Sequence, residues 1–138
     1  MVCLQGASAI QKVLSAQGGT PVRLFIVWEP VLPTDWGAPS TVALRRIADS
    51  RARQYWDRGR LLSKSMGEKD RDSVVWDAVA VYPRGLLWGE ASPPKPVFED
   101  GPVVNVIPEF TAALAKAAAA ATALLGGENS PVRSHGLL

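Results

Sequence analysis

The chain has 138 residues, 15 Lys or Arg against 13 Asp or Glu, and a formal net charge of +2. The length points to one domain that buries about two-thirds of its unfolded surface, and 47% apolar with 20% charged residues excludes a disordered, solvating chain. No apolar run reaches the roughly 18 residues of a spanning helix, and a single cysteine, Cys3, excludes an intrachain disulfide framework and an all-cysteine metal cage.

In residues 3–17, Cys3, Ala7, Ile10 and Leu14 recur on one helical face, and Gly18 and Gly19 stop the helix. Residues 22–28 follow as a strand; the unbroken run Leu24, Phe25, Ile26, Val27, Trp28 reads as buried on both faces. A loop over 29–40 carries prolines 30, 33 and 39, and Ser40 or Thr41 caps a helix expected over 41–58. Its stripe is Leu44, Ile47, Ala48, Ala52, Tyr55 and Trp56, with arginines 45, 46, 53 and 60 largely off it. Residues 60–72 are polar, with a short helix at 60–66. Residues 74–82 read as a strand, Pro83-Arg84-Gly85 as a turn and 86–88 as its partner, so 74–90 is expected to form a hairpin. Four prolines, at 93, 94, 96 and 102, mark an extended loop over 91–102, and 103–107 reads as a short strand. Pro108 suits the start of a last helix with Phe110, Leu114, Ala117, Ala118, Ala121 and Leu125 on its apolar face; Gly126-Gly127 end it. Residues 1–127 thus form one domain and 128–138 a flexible tail. The expected class is α/β, with one sheet holding 22–28 and the hairpin, and helices 4–17, 41–58 and 109–125 packed on it.

The chemistry-bearing residues leave several readings open. Residues 45–71 carry a net charge of +5 and the rest of the chain −3. Interspersed acids make this stretch a solvated helix face first and a phosphate or nucleic-acid site second; no glycine-rich or aromatic RNA motif accompanies it, and nucleic acid is not expected as a partner. Five tryptophans mainly suggest packing. A ligand groove lined by Trp28, Trp36 and Trp76 is the alternative, because loops after strand ends in open sheets form sites. Among the carboxylates Glu29, Asp35, Asp57 and Asp77, a pair could do acid–base work if they converge. The ligand-binding candidates are Trp28, Glu29, Trp36, Asp57 and Trp76. No metal, cofactor or hydrolase motif is present, and His135 lies in the tail. With no basic stretch ahead of an apolar segment, the product as written is expected in the cytoplasm, or exported if a longer reading frame begins upstream of Met1.

Several segments carry a family resemblance. Cys3-Leu4-Gln5-Gly6-Ala7 opens the first helix, and Phe25-Ile26-Val27-Trp28-Glu29-Pro30 follows as a strand. Arg51-Ala52-Arg53-Gln54-Tyr55-Trp56-Asp57 and the segment from Trp76-Asp77 to Pro83-Arg84-Gly85 lead to Trp88 and Pro93-Pro94-Lys95-Pro96. Over about residues 3–125 the chain resembles a group of bacterial thioredoxin-like proteins, read from the redox helix onward. The resemblance implies a thioredoxin-like sheet with flanking helices, N-terminally truncated. It makes Cys3 the second cysteine of a Cys-x-x-Cys pair whose first would lie just before Met1, and it places an absent strand between residues 22–28 and the hairpin. The expected function is then a thioredoxin-like binding or interaction module without dithiol redox activity. The alternatives are a weak thiol–disulfide oxidoreductase using Cys3 and a phosphate-binding or nucleic-acid-binding α/β protein using 45–71. A sheet that lacks an inner strand exposes backbone and apolar side chains, so a homodimer, or another protein partner, is expected to cover it, with no membrane partner.

Overall fold

The computed structural model describes residues 2–35, 37–67, 75–89 and 93–127. Helix α1 spans Val2–Ala16 and buries Ala7, Ile10, Val13 and Leu14, the face its spacing predicts. Strand β1 spans Leu24–Trp28. Leu24, Ile26 and Trp28 pack toward the core, while Phe25 is 61% exposed. The apolar run is therefore not buried on both faces, because nothing among the described residues covers the side on which Phe25 stands.

The helix expected over 41–58 is replaced by two elements. Helix α2 is one turn, Thr41–Leu44, with the Ser40 hydroxyl accepting the Ala43 N–H at 3.3 Å. Strand β2 follows at Ala52–Trp56 and pairs with β1 in parallel, Leu24 opposite Ala52 through Trp28 opposite Trp56. Two tertiary contacts break the helix. The Gln11 side chain accepts the N–H groups of Ala48 and Asp49, at 2.8 and 3.2 Å, which pulls this backbone out of a helical ladder. The β1 edge then offers Ala52–Trp56 a strand ladder instead. In that ladder Ala52, Gln54 and Trp56 turn partly inward and Arg53 and Tyr55 stand in solvent.

Helix α3, Leu61–Ser65, is the short helix expected at 60–66. Strand β3, Val79–Val81, lies inside the strand expected at 74–82, but its partner is different. It pairs antiparallel with β4, Phe98–Asp100, and not with 86–88. Phe98 packs against the core, whereas Leu87 is 89% exposed, and this difference in burial decides which segment pairs. Pro83-Arg84-Gly85 does turn, with Gly85 at φ +87°, a backbone conformation that suits glycine. Residues 103–107 hold a 3-10 turn, Val103–Asn105, rather than a strand; the turn buries Val103, and Val106 just beyond it is also buried.

Helix α4 spans Ile107–Gly127 with Pro108 at its second position. Glu109 in the first turn meets the positive end of the helix dipole. Phe110 and Ala121 are buried and Leu114 and Ala117 pack on the same core; the side chain of Leu125 and the tail 128–138 lie outside the described residues.

One core joins the elements. Leu14, Phe110, Val103 and Ile47 are its most enclosed members, with Val79 and Val81 from β3 against them. The class is α/β. The strands do not form the single sheet expected, however: among the described residues there are two two-stranded sheets, β1–β2 and β3–β4. Both pack on the same core, yet no ladder joins β1 to β3.

Candidate functional site

The parallel register sets the first site. Because Trp28 stands opposite Trp56, the next residues, Glu29 and Asp57, leave the carboxyl ends of the two strands side by side. Open α/β sheets bind ligands at this end of their strands. Here the two acids are engaged within the fold. Asp57 Oδ1 accepts the Gly59 N–H at 3.1 Å and Oδ2 accepts the Leu62 N–H at 3.0 Å, so Asp57 holds the entry to α3. Glu29 Oε1 accepts the Ser63 N–H at 3.1 Å, and Glu29 Oε2 accepts from the Ser63 hydroxyl. The Ser63 hydroxyl also lies 3.3 Å from the Val75 carbonyl, and Arg60 comes to 4.0 Å of Glu29. Burial alone would push the Asp57 carboxyl up. The amides of Leu62, Leu61 and Gly59, with a side-chain contact to Glu29, outweigh it and hold the group below the usual carboxylate range.

The tryptophans divide. The Trp28 indole donates to Gln54 Oε1 at 2.9 Å, and Gln54 Nε2 donates to the carbonyls of Leu44 and Ile47 at 2.9 and 3.0 Å. Trp28 is thus part of the bracing that ties α2 to β2. Trp76 is 44% exposed, and Trp36 lies outside the described residues. Of the five ligand-binding candidates, the structure brings Trp28, Glu29 and Asp57 together at the strand ends.

Cys3 lies elsewhere, in the first turn of α1 beside Asp77. Asp77 is half-buried in left-handed backbone, φ 50°, and its Oδ2 has no hydrogen-bond partner. Its carbonyl accepts the Val103 N–H at 2.9 Å. Gly6 makes room for the carboxyl, since a Cβ at Gly6 would stand 2.6 Å from Asp77 Oδ1. Burial pushes the Asp77 carboxyl up, against the opposing amide of Val103. Burial also pushes the Cys3 thiol up, and the Asp77 charge adds to it. A backbone hydrogen bond and the chain amine pull the other way and lose, so the helix start does not make Cys3 a ready thiolate.

A third locus escaped the sequence reading. On the side of the β1–β2 pair away from the core, the rings of Phe25 and Tyr55 lie 6.3 Å apart between centroids, inclined by 33°. They border a hollow of about 390 Å³ lined by Val22, Arg23, Ser50, Arg51 and Arg53 as well. A second hollow of about 260 Å³ lies between Tyr82, Glu99 and the proline-rich 93–96. Neither is lined by Cys3, Trp28, Glu29, Asp57 or Trp76. The signal for the third locus was the alternation in 52–56, which places Arg53 and Tyr55 on one face only if that segment is a strand.

Among the described residues no group of three His, Cys, Asp or Glu is placed to hold a metal ion, and no helix is long and apolar enough to cross a membrane. Comparison with family models, with curated proteins and with solved structures finds no match to this chain.

Proposed function

We propose that the chain is a thioredoxin-like interaction module without dithiol redox activity, and that its partner at the broken sheet is a second copy of itself. The observation that carries this reading is the open edge of β1. Leu24 donates to the Arg51 carbonyl at 3.1 Å and the Trp28 carbonyl accepts from Asp57 at 2.9 Å, so the polar groups of residues 24, 26 and 28 turn toward β2. In a parallel ladder the intervening residues, Phe25 and Val27, turn their N–H and C=O groups the other way. No strand of the described residues pairs with them there. Such an edge is a template for an added strand, and its side chains carry no charge to deter one. A two-fold contact could cover the open edges of both copies with one surface.

The state of Cys3 supports the absence of thiol chemistry. Attack on a disulfide needs a thiolate and resolution needs a second thiol. This sequence holds one cysteine, and burial and Asp77 hold its thiol up.

Two measurements test the reading. Light scattering at micromolar concentration is expected to give the mass of two chains; a single-chain mass that persists on concentration overturns the dimer. An insulin-reduction assay is expected to show no turnover above the chemical background. Turnover that disappears in Cys3→Ser overturns the assignment in favour of the oxidoreductase.

A further inference from the structure

We propose that the open face of the β1–β2 pair binds single-stranded nucleic acid, with bases stacked on Phe25 and Tyr55 and phosphates met by Arg23 and Arg53. The proposal concerns the face of the pair and not its edge, and it does not depend on strand pairing between copies.

The rings come first. Phe25 is 61% and Tyr55 51% exposed, on adjacent strands, with centroids 6.3 Å apart. The β ladder beneath them fixes their spacing, so their faces are offered with little ordering cost. Nucleobases stack on such exposed rings whatever their sequence.

The charges come second. The side chains of Arg23 and Arg53 are exposed, border the same hollow and make no hydrogen bond or ion pair among the described residues. Arg51 also borders it but is committed: Asp49 neutralises it, and its guanidinium donates to the carbonyls of Leu14, Gln17 and Thr20. The hollow's lining includes no carboxylate. Two guanidinium groups without a partner among the described residues, beside two exposed rings, match a chain of bases on a phosphate backbone. A duplex keeps its bases stacked inside and would meet only the arginines. A protein partner would gain from aliphatic neighbours around the rings, but Val22 is the only such side chain in the lining.

The test is fluorescence anisotropy with short fluorescein-labelled oligo-dT and oligo-U, which separate DNA from RNA. Phe25→Leu and Tyr55→Ala are each expected to weaken binding about tenfold, within the range measured for loss of one stacked base, while Tyr55→Phe keeps it. With two phosphates neutralised, the slope of log K against log salt is expected near about −1.4, and Arg23→Ala or Arg53→Ala removes about half of it. Both arginines are exposed, so Arg84→Ala, also exposed but outside the hollow's lining, serves as a charge control, and far-ultraviolet circular dichroism confirms that each variant is folded. Failure of the native chain to bind either oligonucleotide overturns the proposal. So does binding that survives loss of both rings, which would be general charge attraction. Ring substitutions that alter the mass by light scattering and leave oligonucleotide binding unchanged also overturn it, and would make this face a protein contact.

Discussion

Arg51→Ala tests whether one side chain joins the first helix to the parallel pair. The Arg51 guanidinium donates to Gln17 O at 2.8 Å, Thr20 O at 3.0 Å and Leu14 O at 2.7 Å, at and just beyond the end of α1, where these carbonyls otherwise accept only turn-type amides. It also grips both Asp49 oxygens, at 2.9 and 2.7 Å. Hydrogen bonds to a charged group are worth about 1.5–3 kcal/mol when well enclosed. These carbonyls are partly exposed and regain water on truncation, so about 0.5–1 kcal/mol for each of the three is the fitting scale. A cation at a helix C-terminus adds roughly 0.5 kcal/mol. Arg51→Ala should therefore cost about 2–3 kcal/mol, and Arg51→Lys somewhat less, because an ammonium keeps the charge but cannot reproduce the planar fork. Urea unfolding followed by tryptophan fluorescence reads the change, with an unaltered m-value confirming that the same surface unfolds. Arg53→Ala, two residues on and with no side-chain partner among the described residues, should stay within about 0.5 kcal/mol. A loss below about 1 kcal/mol for Arg51→Ala, or equal losses for both arginines, would refute the clamp.

Three further outcomes are expected. A Cβ at Gly101 would lie 2.8 Å from the Asp77 carbonyl and 3.2 Å from Ala78 Cα; Gly101→Ala should cost about 1–3 kcal/mol by overpacking, and an unchanged urea midpoint would show that β4 can shift freely. The hydrogen bond from the Arg51 side chain, with the Arg51 amide, holds Asp49 at about 2 against an ordinary 3.8. Its contribution is therefore fully present above about pH 4 and lost as pH falls through about 2, and Asp49→Asn should flatten that part of the urea midpoint-versus-pH curve. Cys3 should react with iodoacetamide at neutral pH more slowly than free glutathione does, and Asp77→Asn should speed it by removing the charge that disfavours the thiolate; an unchanged rate would separate the two residues.

The two long helices were legible because each buries one stripe at helical spacing, Ala7, Ile10 and Leu14 in α1 and Phe110 with Ala121 in α4. Residues 52–56 were not, because one sequence fits two periods. Ala52, Tyr55 and Trp56 fall on a helical stripe, and Ala52, Gln54 and Trp56 on one side of a strand. Local pattern could not choose between them. The choice came from contacts distant in sequence: the ladder to β1, Gln11 on the backbone of 48–49, and Arg51 on the end of α1. The same blindness hid the sites. Glu29 and Asp57 meet only because the register sets Trp28 opposite Trp56, and Asp77 reaches Cys3 only across the space left by Gly6.

The way this chain uses its charges bears on where ligands can act. At the carboxyl ends of β1 and β2, where an acid pair could have served as proton donor and acceptor, both acids hold α3 in place. Asp57 is occupied by the amides of Gly59, Leu61 and Leu62, and Glu29 by the amide and hydroxyl of Ser63, which is only 4% exposed. An acid–base pair must be free to exchange a proton with a substrate within hydrogen-bond reach, and breaking these contacts would release the start of α3. Asp77 keeps an unpartnered oxygen, but burial holds its carboxyl up and its neighbour Cys3 is held protonated by the same surroundings. On the open face of the parallel pair the balance is reversed: among the described residues no group neutralises the side chains of Arg23 and Arg53, and the rings of Phe25 and Tyr55 beside them are exposed. Groups that already satisfy one another have little left to offer a ligand, so the exposed face of the strands has more free chemistry than the half-buried acids.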